Sequence, residues 1–236
     1  MRLKTLSTAI AGLALMASTG FAQSNPTVAV LYLNNAALGA QNAELAPLSK
    51  GIADMLISSL AANPGVRVVE RDRIQAILDE QKLATDGKLD QATSVRVGKI
   101  VGARHMIAGT FMTEKDVMKI SLRVFDTETS ELVRGAGAEE TGKTDAIMAL
   151  IDKVAAKLNT NLKLPMIPAQ AREQHAADMK RQAKVPFQAV MLYSRALDEK
   201  DHGNKEKAVT LFNQAIAAFP NYEAPKKELQ KLGAGL

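Results

Sequence analysis

Between Gly51 and Leu83 the chain reads GIADMLISSLAANPGVRVVERDRIQAILDEQKL, a helix, a tight turn, a strand and a second helix with almost no residues to spare. Ile52, Met55, Leu56, Ser59 and Leu60 recur at helical spacing, and Asn63-Pro64-Gly65 supplies the residues that stop a helix. Val66, Val68 and Val69 then favour a short strand, after which Ile74, Ile77, Leu78 and Leu83 resume a helical period. Asp72 is expected to cap that second helix. So tight an alternation predicts strands covered by helices, and it contains nothing with the spacing of a nucleophile or a metal set.

The rest of the chain extends the pattern. Thr27 to Leu33 (TVAVLYL) is continuously apolar, as a strand buried on both faces requires. A first helix is expected over 44–62, and Asp90 opens another that ends at Gly102, with Val95, Gly98, Ile100 and Val101 on its apolar side. From His105 to Thr141 the period becomes two, giving three strands joined by turns near 114–116 and 126–130. In the middle strand Ile120, Leu122 and Val124 alternate with Lys119, Ser121 and Arg123, so one face is buried and the other wet. An amphipathic helix from Asp145 to about Leu162 carries Ile147, Leu150, Ile151, Val154 and Leu158 on one stripe. Pro165 and Pro168 interrupt helical continuity, and a polar connector over 171–184 precedes a last helical hairpin.

The N-terminus bears on location. Arg2 and Lys4 precede an apolar run from Ala9 to Ala17 and a small-x-small Gly20-Phe21-Ala22. This reads as a cleavable export signal over 1–22, since a membrane-spanning helix needs roughly 20 apolar residues. The chain has no cysteine, which rules out disulfides and a lipid-bearing cysteine. The expected location is the periplasm, with at most peripheral contact with the outer membrane. The formal charge is +5, yet residues 23–164 hold 17 basic and 17 acidic side chains and residues 165–236 hold 11 and 8. No basic stripe interleaved with aromatics accompanies this, so a nucleic-acid partner is not expected.

In the hairpin, Ala196, Gly203, Ala208, Phe212, Ala215 and Pro220 occupy the small, aromatic and closing-proline positions of a repeat of about 34 residues, here Ala189 to Tyr222. The segment resembles a tetratricopeptide (TPR) repeat, with Arg195 and Glu199 departing from the usual leucine and tyrosine. Residues 27–162 resemble the curli production (CsgG) family and, more loosely, the N-terminal domain of TolB-like periplasmic proteins. The resemblance is carried by 51–83, by VGARHMIAGTF at 101–111 and by ISLRVFDTETSELV at 120–133. It implies a periplasmic α/β domain whose relatives form rings and insert β-hairpins into the outer membrane. Membrane hairpins need strands of about 9–11 residues, and the tight turn at 114–116 and the short span 134–144 leave no room for them.

The expected architecture is α/β (α+β): a mixed sheet with an antiparallel three-strand meander covered by helices, then a small all-α TPR-like hairpin. The expected divisions are 1–22 signal, 23–164 CsgG-like domain, 165–184 linker and connector, and 185–236 helical domain.

Gly137, Gly142, Lys143 and Thr144 fit the phosphate-loop pattern G-x-x-x-x-G-K-[ST]. Glu139 and Glu140 would place two negative charges inside the cradle, and no later strand supplies a magnesium-binding acid. The match is read as coincidental, a glycine-rich strand-to-helix turn with no cofactor. His105, His175 and His202 lack metal-site spacing, and Ser58-Ser59 lacks the glycines of a nucleophile elbow. The function expected is therefore a non-catalytic interaction or assembly module whose partner is another envelope protein or a further copy of the chain in a homo-oligomer. The alternative is an accessory or ring-forming subunit of a curli-like secretion apparatus. Val190, Tyr193, Leu197 and Lys200 form the stripe expected to meet a partner if exposed, although Val190 and Leu197 would serve equally to pack on the connector.

Overall fold

The computed structural model describes residues 25–37, 41–83 and 89–233, so the export signal expected over 1–22 lies outside the described residues. Strand β1 (Thr27–Val30) is buried along its whole length, as a strand covered on both faces must be. It lies between two parallel neighbours, β3 (Arg67–Val68) and β4 (His105–Glu114). The short β2 (Asn34–Asn35) pairs in parallel with the far half of β4, at Thr110 and Phe111. Strands β5 (Val117–Asp126) and β6 (Ala138–Lys143) complete the antiparallel meander, and the order is β3-β1-β4-β5-β6.

The third strand begins later than expected. Glu131 to Gly137 keeps only a bridge between Leu132 and Phe125, and the chain turns with Gly135 at φ 76° before entering β6. The bend before it is held by Asp126, whose Oδ1 accepts from the backbone N–H groups of Glu128 and Thr129.

Where the first helix was expected over 44–62 there are two, α1 (Gln41–Leu45) and α2 (Leu48–Ala61), divided by Pro47. Helix α3 (Arg71–Glu80) follows β3 at once, and α4 (Gln91–Val101) is bounded as expected. The Asp90 side chain accepts from the Thr93 N–H, and Gly102 closes α4 at φ 70°. Val97 is buried in α4, while Ile100 is largely exposed. Asp72 does not cap α3: Glu70 holds the cap position without a side-chain bond, and Asp72 is drawn into ion pairs described below.

Helices α2 and α5 (Ile147–Asn161) cover the sheet face bearing Phe111, Ile120, Leu122 and Val124, and all five apolar residues expected on the α5 stripe are buried. Helix α4 covers only one end of the other face, where Gly98 lets it approach Met106 and Thr127. Met112 and Val117 remain exposed beyond it.

The connector is tied to the turn that ends α2. Buried Asn63 donates to Asn159 Oδ1 and to the Pro165 carbonyl, both at 2.8 Å. Helix α6 (Ala169–Gln182) follows and has no buried residue. Then come the hairpin helices α7 (Phe187–Asp201) and α8 (Lys205–Ala218), and finally α9 (Glu223–Lys231). Gly203 takes φ 78° in the α7–α8 turn, and Ala196, Ala208, Phe212 and Ala215 are fully buried. One hydrophobic cluster runs without interruption from the sheet through α2 into the hairpin.

Candidate functional site: a clasped hairpin and the cleft beside it

Helix α7 packs along α2, and at Gly51 the contact leaves no room for a side chain. Gly51 on α2 faces Ser194 on α7 so tightly that a Cβ at Gly51 would stand 1.9 Å from Ser194 Oγ. Four residues from Ser194, on the same stripe of α7, lies Val190, and three residues beyond it Leu197, both fully buried. Tyr193 is buried too and donates its hydroxyl to Asp54 Oδ2 at 2.5 Å. Its ring meets Phe212 at 5.8 Å and, edge-on, Tyr222 at 5.4 Å. The stripe Val190, Tyr193, Leu197 and Lys200 is therefore not exposed for an outside partner. It lies in the chain's own hairpin interface, and the helix beside it is α2 rather than the connector.

Around this apolar seam runs a network of buried charge. Lys50 on α2, 3% exposed, meets Asp198 at 2.8 Å and Asp201 at 3.0 Å. Arg71, at the start of α3, reaches Asp201 at 2.8 Å and Asp72 at 2.6 Å and also donates to the Tyr32 hydroxyl. Tyr32 in turn donates to Gln75 Oε1 at 2.7 Å, and burial raises its pKa. Lys200 joins Asp72 to Glu228 of α9, at 3.0 and 2.6 Å, and Lys231 meets Glu228 at 2.9 Å. The two most deeply buried carboxylates of this network, Asp201 and Glu228, thus each have a cation beside them, the condition under which burying charge is tolerated.

Next to the clasp, between α2, α5, α6 and α9, lies a cleft of about 340 Å³. Met55, Met148, Ile151 and Met179 make its apolar lining, and Asp54 and Tyr193 stand where it meets the clasp. Helix α6 contributes the stripe His175, Asp178, Met179 and Gln182. Across the cleft mouth His175 Nε2 contacts Asp152 Oδ1 at 2.5 Å, and Ser59 donates to the same oxygen at 2.9 Å. The three residue types are those of a catalytic triad, but the order is wrong for one: the carboxylate is central, and no base receives the serine proton.

The hydrogen bond to Asp152 raises the His175 pKa, and the same bond lowers that of Asp152. Raised, His175 stabilises the clasp of α6 fully below its ordinary 6.5 and loses that contribution as pH rises through the folded value; lowered, Asp152 does so above its ordinary 3.8 and loses it as pH falls. We therefore expect the protection of α6 amides, taken relative to their intrinsic exchange rates, to be greatest from about pH 4 to 6.5 and to fall above that range. His175→Gln should flatten the alkaline limb; an unchanged profile would show that other contacts hold α6.

The structure brings none of the other sequence candidates together. Lys143 and Gly142 lie inside β6, paired with Val117 and Met118, so their backbone belongs to the ladder and not to a strand-to-helix turn. Extended backbone cannot curl its N–H groups around a phosphate. His105 starts β4, where burial lowers its pKa, and His202 ends α7 at the surface. Among the described residues no group of three or more His, Asp or Glu is placed to hold a metal ion, and no helix is long and apolar enough to cross a membrane. From the sequence the charge run at 70–73 reads as an ion-pair and capping cluster, and Arg71 does pair there; Lys50, Asp54 and Asp201 were missed, the available signal being a lysine beside a glycine on the buried side of α2.

Residues 10–113 match the family described as curli production assembly/transport component CsgG. The resemblance to that family is therefore shown over this segment. Among solved structures, the LpoB C-terminal domain from Escherichia coli is similar at 14% identity and a TM-score of 0.36, covering 54% of this chain and 90% of its own. The PelC dodecamer from Paraburkholderia phytofirmans gives 14% and 0.35, covering 61% and 91%. Lipoprotein GNA1162 from Neisseria meningitidis gives 11% and 0.35, covering 58% and 98%. No curated protein matches the chain.

Proposed function

We propose that this chain, CsgG-like over residues 10–113, is a non-catalytic protein-interaction and assembly module of the cell envelope. It would act in the periplasm after removal of its export signal, as 23–164 and a TPR-like 185–236 joined by the connector. The observation that carries this reading is the cleft beside the clasp. It has an apolar lining and charged margins, which suit recognition, and its polar groups lack the nucleophile–base geometry that chemistry requires. Val190, Tyr193, Leu197 and Lys200 are assigned to holding the hairpin on α2, so that the cleft keeps its shape.

A photo-crosslinking residue at Met179, facing the cleft, should give a discrete adduct in the native cell, while one at Thr210, exposed on α8, should not. Equal labelling at both positions, or none at Met179, would overturn the cleft as the interaction site. The family match favours a second reading, an accessory or ring-forming subunit of a curli-like secretion apparatus. Light scattering of the chain from Gln23, with and without detergent, separates the two. A monomer or dimer indifferent to detergent supports the adaptor, and a large discrete ring supports the secretion assembly.

A further inference from the structure

We propose that the cleft receives a lysine or arginine side chain flanked by apolar residues on a partner segment, the cation reaching Asp54. This rests on the cleft being the interaction site. Asp54 projects from α2 into the cleft with its side chain 15% exposed. Its Oδ2 takes the Tyr193 hydroxyl at 2.5 Å, but among the described residues the cation in ion-pair range is Arg71, whose Nε stands 3.8 Å from Oδ1, beyond hydrogen-bond range. That same Arg71 Nε makes no hydrogen bond.

The other carboxylates of the cleft differ. Asp152 holds His175, Asp178 holds Arg181, Glu223 holds Lys226, Glu228 holds Lys200 and Lys231, and Glu70 is an exposed rim residue. Asp54 is thus the buried carboxylate of the cleft with unfilled acceptor capacity, and burial raises its pKa against the opposing pull of the Tyr193 hydrogen bond and of Arg71. A cation that entered would form a charge-assisted bond in a site with little competing water.

Size and lining specify the rest. A volume of about 340 Å³ is at the lower end for ligand pockets, which begin near 300 Å³. It accommodates one or two side chains of a docked segment rather than a bulky molecule. Three methionines, Met55, Met148 and Met179, line it, and thioether side chains adapt to apolar shapes they did not fold around. Six carboxylates against two lysines, Lys227 and Lys231, disfavour an anion. The α6 wall, with no buried residue, can shift to admit a segment without opening the core.

The test uses side-chain mimics on the exported chain labelled at its methionine methyl groups, with n-hexylamine, 1-hexanol and hexanoate as probes. Hexylamine should shift the Met55, Met148 and Met179 signals and bind about tenfold more tightly than hexanol, with hexanoate weakest. Asp54→Asn should erase the preference for the amine. Met179→Lys, which tethers an ammonium to a helix with no buried residue, should weaken hexylamine binding while leaving the fold intact by circular dichroism. Equal affinity for amine and alcohol, an unchanged Asp54→Asn variant, or no methionine shift with any probe would overturn the inference. Should the Met179 crosslink persist in any of those cases, the interaction site stands and only its cationic specificity falls. Loss of the crosslink as well would remove both.

Discussion

Replacing Asp201 with alanine should destabilise the protein by about 3–5 kcal/mol, the loss that follows when one member of a buried charge network is removed. Asp201 is shared: Lys50 stands 3.0 Å away, Arg71 2.8 Å, and the Asp201 side chain is only 4% exposed. The variant leaves two buried cations, Lys50 with Asp198 alone and Arg71 leaning on Asp72 and the more distant Asp54. Neither can turn to water without lifting α7 from α2. Against a total stability of about 5–15 kcal/mol for a domain, the change should be plain in urea denaturation. A loss under about 1 kcal/mol would mean that solvent screens the network as it does surface pairs. The triple variant Lys50→Met, Arg71→Met, Asp201→Leu separates charge from packing. Recovery of most of the stability would show that uncompensated charge, and not lost volume, made Asp201→Ala costly.

What the sequence made legible was local. The caps of α4, Asp90 and Gly102, can be read because the groups they satisfy lie within a few residues. The α5 stripe and the alternation in β5 are likewise written in neighbouring positions. Asp72 shows the limit. It stands at the start of a helix and looks like a cap, yet its carboxylate is taken by Arg71 and by Lys200, 128 positions further on. The stripe Val190, Tyr193 and Leu197 carries the same lesson. Periodicity shows that something must cover an apolar face, but the cover, α2, is remote in sequence and is identified only by the fit of Gly51 to Ser194. The β6 boundary moved for a related reason. Residues 131–137 have strand-like composition, but Gly135 takes a left-handed conformation and starts a turn that only the β5 partner fixes. The cleft was the least visible feature, since five helices line it and no run of sequence contains it.

Gly51→Ala is expected to cost about 1–3 kcal/mol, although alanine favours a helix over glycine by about 1 kcal/mol. The new Cβ would lie 1.9 Å from Ser194 Oγ, 2.9 Å from Ser194 Cβ and 3.4 Å from its Cα. Rotating the hydroxyl relieves the first contact at the loss of its 2.8 Å bond to the Val190 carbonyl, but the second involves an atom that moves only with the α7 backbone. The hairpin must therefore draw back from α2, stretching the Tyr193–Asp54 bond and the Lys50 and Arg71 pairs with Asp201. The chain provides a direct readout. It has three tyrosines, Tyr32, Tyr193 and Tyr222, and burial raises the pKa of every one. Their stabilising contribution is complete below the ordinary phenol value of 10 and is lost only as pH climbs through the higher folded values. In the parent protein, phenolate absorbance should appear late and together with unfolding. In Gly51→Ala, Tyr193 and Tyr222 should begin to ionise nearer pH 10, before the sheet melts. Adding Ser194→Gly removes the atoms in conflict and should return both the late titration and part of the lost stability. If Gly51→Ala instead matches or exceeds the parent in stability, the approach of α2 and α7 is not set at this contact, and the clasp would rest on its ion pairs alone.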